Sequence, residues 1–301
     1  MTSTALPAAR SRRVRRAILA AVLALAGALG IGLAPDPAAA QTPGRYVALG
    51  DSFTAGPLIP NQSLSPLGCL RSDQNYPSEV QRALRFGQFV DVSCSGADTG
   101  DMTSPQNVTP GPNPPQFDAL TADTTVVTLG IGGNDIGFSS IIENCVSLNP
   151  FATPCRDRYV RNGVDELQQR IADTAPDIAA TIQGIRARAP QARIYVVGYP
   201  AIVPDSGNGC WPSLPIAWND VPYIRSTHKS LNAMLAQQAA ANGATYVDVY
   251  TPSIGRDACR SAGTRWVEPL VPGNAAAPIH PNARGMDGMA AVVAAAIQAD
   301  A

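Results

Sequence analysis

The chain has 301 residues, 45% of them hydrophobic and 15% charged, with a formal net charge of −1. That length suits one substantial α/β domain with a real core, and neither an internal repeat nor a second-domain linker is visible. The near-neutral balance gives no support for a nucleic-acid partner.

The first segment carries Arg10, Arg12, Arg13, Arg15 and Arg16, then an uncharged run from Ala17 to Ala34, then Ala38-Ala39-Ala40 before Gln41. This is the layout of a secretory signal peptide cleaved after Ala40, leaving 41–301 as the folded domain. An uncleaved anchor is the alternative, because the apolar run is slightly long for a signal core. Gly27, Gly30, Gly32, Pro35 and the small-residue exit favour cleavage. Ser11-Arg12-Arg13 leaves the export route open between general secretion and a twin-arginine path. Cleavage removes the five arginines and Asp36, which takes the net charge from −1 to −5.

Short β-rich runs follow at Arg45–Leu49, Phe89–Val92, Thr125–Leu129, Arg193–Val197 and Thr245–Val249. Helical patterns lie between several of them: Tyr76–Phe86, with Pro77 near its start, and Asn162–Ala189, interrupted or kinked near Pro176. Two more helices are predicted at Tyr223–Ala241 and Asn282–Ala299. Ser104–Gln116, with five prolines, reads as a long irregular loop. Strands alternating with helices predict a parallel sheet covered on both faces. Ligands of such sheets sit beyond the carboxyl ends of the strands.

The six cysteines, at 69, 94, 145, 155, 210 and 259, are even in number and follow an export signal, so disulfides are the expectation. Metal binding is disfavoured, since there is no CxxC pair and the chain has only two histidines. Six cysteines allow 15 connectivities, and spacing does not choose among them.

Ser52 directly follows the apolar run Tyr46–Leu49, at the end of a strand where a hydroxyl can face a cleft and act as a nucleophile. Its bland alternative is a helix N-cap. The stretch is not a GxSxG elbow, because Thr54 stands where that motif needs glycine. Of the two histidines, His280 lies between prolines just ahead of a helix, where a cation is disfavoured and a neutral imidazole can accept a proton. His228, inside a helical pattern beside Lys229, reads as an ordinary surface or groove residue. Asp51, Asp98 and Asp135 read as turn braces.

Gly50-Asp51-Ser52-Phe53, Ser93-Cys94-Ser95-Gly96-Ala97-Asp98, Gly132-Gly133-Asn134-Asp135 and Pro278-Ile279-His280-Pro281-Asn282 together resemble, in that order, the four signature blocks of the SGNH (GDSL) hydrolase family. The resemblance spans nearly the whole mature chain. It implies a three-layer α/β/α fold around a central parallel five-stranded sheet, flavodoxin-like in arrangement. It also implies a serine hydrolase that cleaves carboxylic esters through an acyl-enzyme on Ser52, with His280 as general base. Ser52 N–H, Gly96 N–H and Asn134 Nδ2 would form the oxyanion hole, and no cofactor or metal is called for.

Where the family usually places an aspartate three residues before the histidine, this chain has Ala277. Some secreted members use a backbone carbonyl there, so the resemblance assigns the Ala277 carbonyl to orient the imidazole. Secreted relatives pair their cysteines consecutively, which here gives Cys69–Cys94, Cys145–Cys155 and Cys210–Cys259. The implied protein is a secreted monomer acting on acyl lipid or aryl esters, with transient contact to a lipid surface. Pro57–Pro60, Phe138, Ile141-Ile142 and Trp211–Trp218 are candidates for an acyl groove. A polysaccharide acetyl esterase and a non-catalytic secreted binding protein of the same fold are the alternatives.

Overall fold

The computed structural model describes residues 1–2 and 42–301. The expected signal segment and its cleavage point therefore lie, apart from the first two residues, outside the described residues. A five-stranded sheet forms the centre, from β1 (Thr42–Gly50), β2 (Phe86–Asp91), β3 (Thr124–Gly130), β4 (Arg193–Val197) and β5 (Thr245–Val247). Their order is β2-β1-β3-β4-β5, and every pairing is parallel. The strand order switches direction beside β1 and β3, so the crevice beyond their carboxyl ends is where such a sheet accepts a ligand.

Eight helices accompany the sheet among the described residues: α1 (Ser52–Ala55), α2 (Tyr76–Leu84), α3 (Phe138–Cys145), α4 (Pro154–Tyr159), α5 (Glu166–Arg188), α6 (Val221–Ala241), α7 (Tyr250–Ser253) and α8 (Ala283–Ala299). Both faces of the sheet are buried, which is why its strands read as continuous apolar runs rather than alternations. Val47, Leu49, Val127, Leu129 and Val196 belong to one core cluster with the apolar stripes of α5 and α6. Tyr46, Ala48, Val126, Tyr195 and Val197 belong to a second cluster with α2 and α8. Each fully buried large side chain of these clusters contributes about 1.5–3 kcal/mol relative to exposure.

The helix starts follow from their caps. Asn75 accepts from Ser78 N–H at 3.1 Å to begin α2, Asp165 accepts from Leu167 N–H at 3.0 Å to begin α5, and Asn282 accepts from Gly285 N–H at 3.0 Å to begin α8. Of the two outcomes predicted at Pro176, an interruption or a kink, the interruption does not occur: α5 continues through Pro176. It also starts four residues later than predicted. Asn162 (φ 53°) and Gly163 (φ 79°) turn a short antiparallel hairpin, Val160-Arg161 against Val164-Asp165. An Asn-Gly pair is a strong hairpin signal, and the apolar spacing of Val164 and Leu167 masked it. Strand β2 begins at Phe86 rather than Phe89, because Phe86 and Gln88 pair with Thr42 and Arg45 of β1 and carry Gly87 between them despite its poor strand propensity. Strand β5 stops at Val247 because Asp248 turns the chain, accepting from Tyr250 N–H at 2.9 Å and Thr251 N–H at 3.0 Å.

Three disulfides link Cys69–Cys94, Cys145–Cys155 and Cys210–Cys259. Among the described residues, no helix is long and apolar enough to cross a membrane.

Candidate active site

The end of β1 requires glycine. Gly50 has φ +154°, and a Cβ there would lie 2.6 Å from Gly130 O at the end of β3. Removing that side chain lets the two strand ends close up. The elbow is gripped from the other side by Gln116, which accepts from Gly50 N–H at 2.8 Å and donates to Gly50 O at 2.9 Å. Gln116 is fully buried, and nothing in its proline-rich sequence context signals this role.

Ser52 occupies the first turn of the short helix α1, yet it is not the cap. Asp51 caps the helix, accepting from Phe53 N–H at 2.8 Å, which leaves the Ser52 hydroxyl free for another partner. Asp51 Oδ2 also accepts from Tyr199 OH at 2.5 Å, and Tyr199 OH in turn accepts from Gly133 N–H at 2.8 Å. One phenol thus ties together the chain segments following β1, β3 and β4. Burial pushes the Asp51 carboxyl up to about 7, because the bonds from Tyr199 and Phe53 only partly offset the loss of water.

Ser52 Oγ lies 2.8 Å from His280 Nε2, across 228 positions of sequence. On the other side of the ring, Nδ1 lies 2.7 Å from Pro278 O. A carbonyl only accepts, so Nδ1 carries the proton and Nε2 presents its lone pair to the serine hydroxyl, which donates. The expected role of the Ala277 carbonyl is therefore corrected: Ala277 O accepts from the His280 backbone N–H at 3.2 Å, and the ring reaches the next carbonyl along. The cause is Ile279, whose φ of 62° turns the chain so that Pro278 O faces the imidazole. Burial lowers the His280 pKa below its usual 6.5, with the Pro278 carbonyl opposing the shift. The Phe53 ring packs against the imidazole at 5.0 Å.

Asn134 faces the same cleft as Ser52 and His280. Its Nδ2 donates to Ala97 O at 2.7 Å, which docks the turn holding Gly96 against the loop after β3. Gly96 has φ 83°, a left-handed conformation that favours glycine. It is exposed and lies outside the cleft's enclosing wall. Asp135 accepts from Thr99 N–H at 3.0 Å and from the Thr99 hydroxyl at 2.5 Å. Asp98 accepts from Gly100 N–H at 2.9 Å. Both carboxylates brace backbone, as the sequence suggests.

The cleft runs from Ser52 and His280 between α3 and α6. Its apolar wall includes Phe138, Ile141, Ile142, Ile224 and Leu231. The predicted groove residues of α3 are thus in place, whereas Pro57–Pro60 and Trp211–Trp218 do not line the cleft. Ile59 is buried in the opposite core cluster, and Trp211 Nε1 donates to Ser147 O at 2.9 Å. The α6 wall was missed because its stripe reads as ordinary core. His228 belongs to that wall, packed edge-on to Tyr250 at 5.3 Å, and burial pulls its pKa down to about 4. No residue of the loop 104–116 lines the cleft, and Gln106 Nε2 donates to Ser95 O at 2.9 Å, tying the loop to the turn that holds Gly96.

A second feature that the sequence did not disclose lies behind the histidine. Glu268 is fully buried and pairs with Arg265 at 2.7 Å. Burial alone would raise its carboxyl, but bonds from Arg265, Asn274, Asn282 and Gly273 N–H outweigh it and hold the pKa at about 2.

The sequence profile of the GDSL-like Lipase/Acylhydrolase family matches residues 48–287. A protein of Streptomyces coelicolor described as Lipase 2 is 41% identical over 286 residues, covering 91% of this chain and 95% of its own. The extracellular lipase of Streptomyces rimosus superposes with a TM-score of 0.71 at 27% identity, covering 84% of this chain and 99% of its own. The phospholipase A1 of Streptomyces albidoflavus superposes with a TM-score of 0.69 at 26% identity, covering 84% of this chain and 98% of its own. With four sequence blocks, one fold and near full-length relatives in agreement, the chain belongs to the GDSL-like lipase/acylhydrolase family.

Proposed function

We propose that this carboxylic ester hydrolase works through an acyl-enzyme on Ser52 and prefers acyl chains long enough to occupy the α3–α6 cleft. The observation that carries the reading is the 2.8 Å contact between Ser52 Oγ and His280 Nε2 at the mouth of the apolar α3–α6 cleft. Ser52 Oγ attacks the ester carbonyl while His280 Nε2 takes its proton. The Pro278 carbonyl keeps the imidazole aligned through Nδ1–H. Ser52 N–H, Gly96 N–H and Asn134 Nδ2 hold the tetrahedral oxyanion. His280 returns the proton to the departing alcohol, and water, activated by the same imidazole, releases the acid. No step requires a cofactor.

The test is hydrolysis of p-nitrophenyl esters from acetate to palmitate by residues 41–301. Turnover is expected to rise from acetate into the medium or long chains. Ile142→Trp, which fills the cleft, is expected to suppress those chains and spare acetate. Activity confined to acetate would instead support a polysaccharide deacetylase, and none at all a binding protein. In the same assay Asn134→Ala is expected to lower kcat by roughly 10²–10³; an unchanged kcat would remove Asn134 from the oxyanion hole.

The natural substrate class is proposed to be acyl lipid, with aryl esters also accepted. Export with cleavage after Ala40, giving an extracellular enzyme, is supported by the three disulfides. A monomer suffices, because the chain supplies Ser52, His280 and both cleft walls. Transient contact with a lipid surface is supported by Leu148 and Phe151, 91% and 71% exposed on the segment after α3. Leu148→Ser/Phe151→Ser is expected to reduce co-sedimentation with phosphatidylcholine vesicles and leave soluble-ester turnover intact; undiminished sedimentation would count against this contact.

A further inference from the structure

The segment that presents His280 hangs on one buried carboxylate. Glu268 Oε1 accepts from Arg265 Nε at 3.0 Å, Asn274 Nδ2 at 2.7 Å and Asn282 Nδ2 at 2.6 Å. Oε2 accepts from Gly273 N–H at 2.7 Å and Asn274 N–H at 3.1 Å, and lies 2.7 Å from Arg265 Nη2. The chain is therefore fastened both before and after His280. The backbone of the same residue completes the clamp: Glu268 N–H donates to His280 O at 2.9 Å, and Ile279 N–H donates to Glu268 O at 3.2 Å.

This double fastening falls where the chain needs it. Ile279 holds φ 62°, a conformation that a β-branched residue adopts only when its surroundings over-determine it. That turn is what aims Pro278 O at Nδ1. Where a carboxylate touches the ring, it orients the imidazole directly. Here the orienting atom is a backbone carbonyl, whose direction is only as firm as the peptides around it.

We infer that Glu268 is a positioning residue for His280: its carboxylate, too far back to touch the ring, locks the 273–282 segment so that the Pro278 carbonyl and the imidazole stay in register with Ser52. The inference rests on the reading of His280 as general base. Arg265 is part of the device, since it neutralises a charge that would otherwise be buried alone.

The test compares Glu268→Gln, which keeps the shape and removes the charge, with Asn274→Ala, which removes one anchor and leaves the ion pair. Both are assayed on a short-chain p-nitrophenyl ester for kcat, KM and the pH dependence of kcat/KM, well below their melting temperatures. Glu268→Gln is expected to lower kcat by up to about 10²-fold, the penalty of roughly 1 Å of misplacement, with KM nearly unchanged. The apparent pKa of the base is expected to rise toward the ordinary imidazole value as the ring loses burial. Asn274→Ala should show a smaller loss of the same kind, and it decides the matter by the same readouts should Glu268→Gln fail to fold.

Lower melting temperatures with kcat and the pH profile unchanged would overturn the inference and leave Glu268 a purely structural ion pair. His280→Ala, run alongside, separates the two readings: if it keeps activity the base assignment fails. If it is inactive while Glu268→Gln is fully active, only the positioning role fails.

Discussion

Ser52→Ala and His280→Ala are each expected to lower kcat by on the order of 10⁴- to 10⁶-fold, because a nucleophile and its base act as one unit. The double variant should be scarcely worse than either single one, since the second substitution removes a group that has already lost its partner. The comparison is made on one ester by burst and steady-state kinetics, and additive losses would mean that the two residues do not share a step. The pH profile should carry the same signature. His280 must be neutral to accept the proton, and burial lowers its pKa from 6.5. The rate should therefore climb through that lowered value as pH rises and be level at neutrality, falling away only as acid protonates the imidazole. A midpoint above 6.5 would contradict a buried base.

Loss of the Cys210–Cys259 bridge is expected to be the most destabilising of the three disulfide removals. It spans 49 positions, against 25 for Cys69–Cys94 and 10 for Cys145–Cys155. Chain-entropy arguments assign about 4 kcal/mol to a loop of that length and about 3 kcal/mol to the shortest. A single domain has a total stability of roughly 5–15 kcal/mol, so the largest of these is a substantial share of it. Cys210→Ser/Cys259→Ser should therefore shift the urea midpoint most. An order of midpoints unrelated to span would show that native contacts outweigh loop closure here.

Much of the site was legible because its chemistry admits few residue types. A strand-end serine, a proline-flanked histidine and a Gly-Gly-Asn turn announce themselves in one dimension. The parts that were not legible act through backbone geometry. Whether Ala277 or Pro278 meets the imidazole depends on one left-handed residue, Ile279, which no propensity favours in that conformation. Glu268 and Gln116 hold main-chain atoms of distant segments, so their neighbours in sequence say nothing of their role. The α6 cleft wall shares the spacing of a core stripe, and only the gap between α3 and α6 distinguishes Ile224 and Leu231 from residues packed against the sheet. The hairpin at Asn162-Gly163 differs in kind: its turn signal was present and was overruled by helical periodicity.

Most of the cleft wall and the groups proposed to react come from separate parts of the chain. Ser52, Gly96 and Asn134 follow β1, β2 and β3, and His280 precedes α8, whereas most of the apolar wall belongs to α3 and α6. Substitutions on those two helices can redraw the range of acids released without disturbing the proton path. On the proposed mechanism, acyl-chain selectivity can therefore be altered on α3 and α6 at positions that do not touch Ser52 or His280.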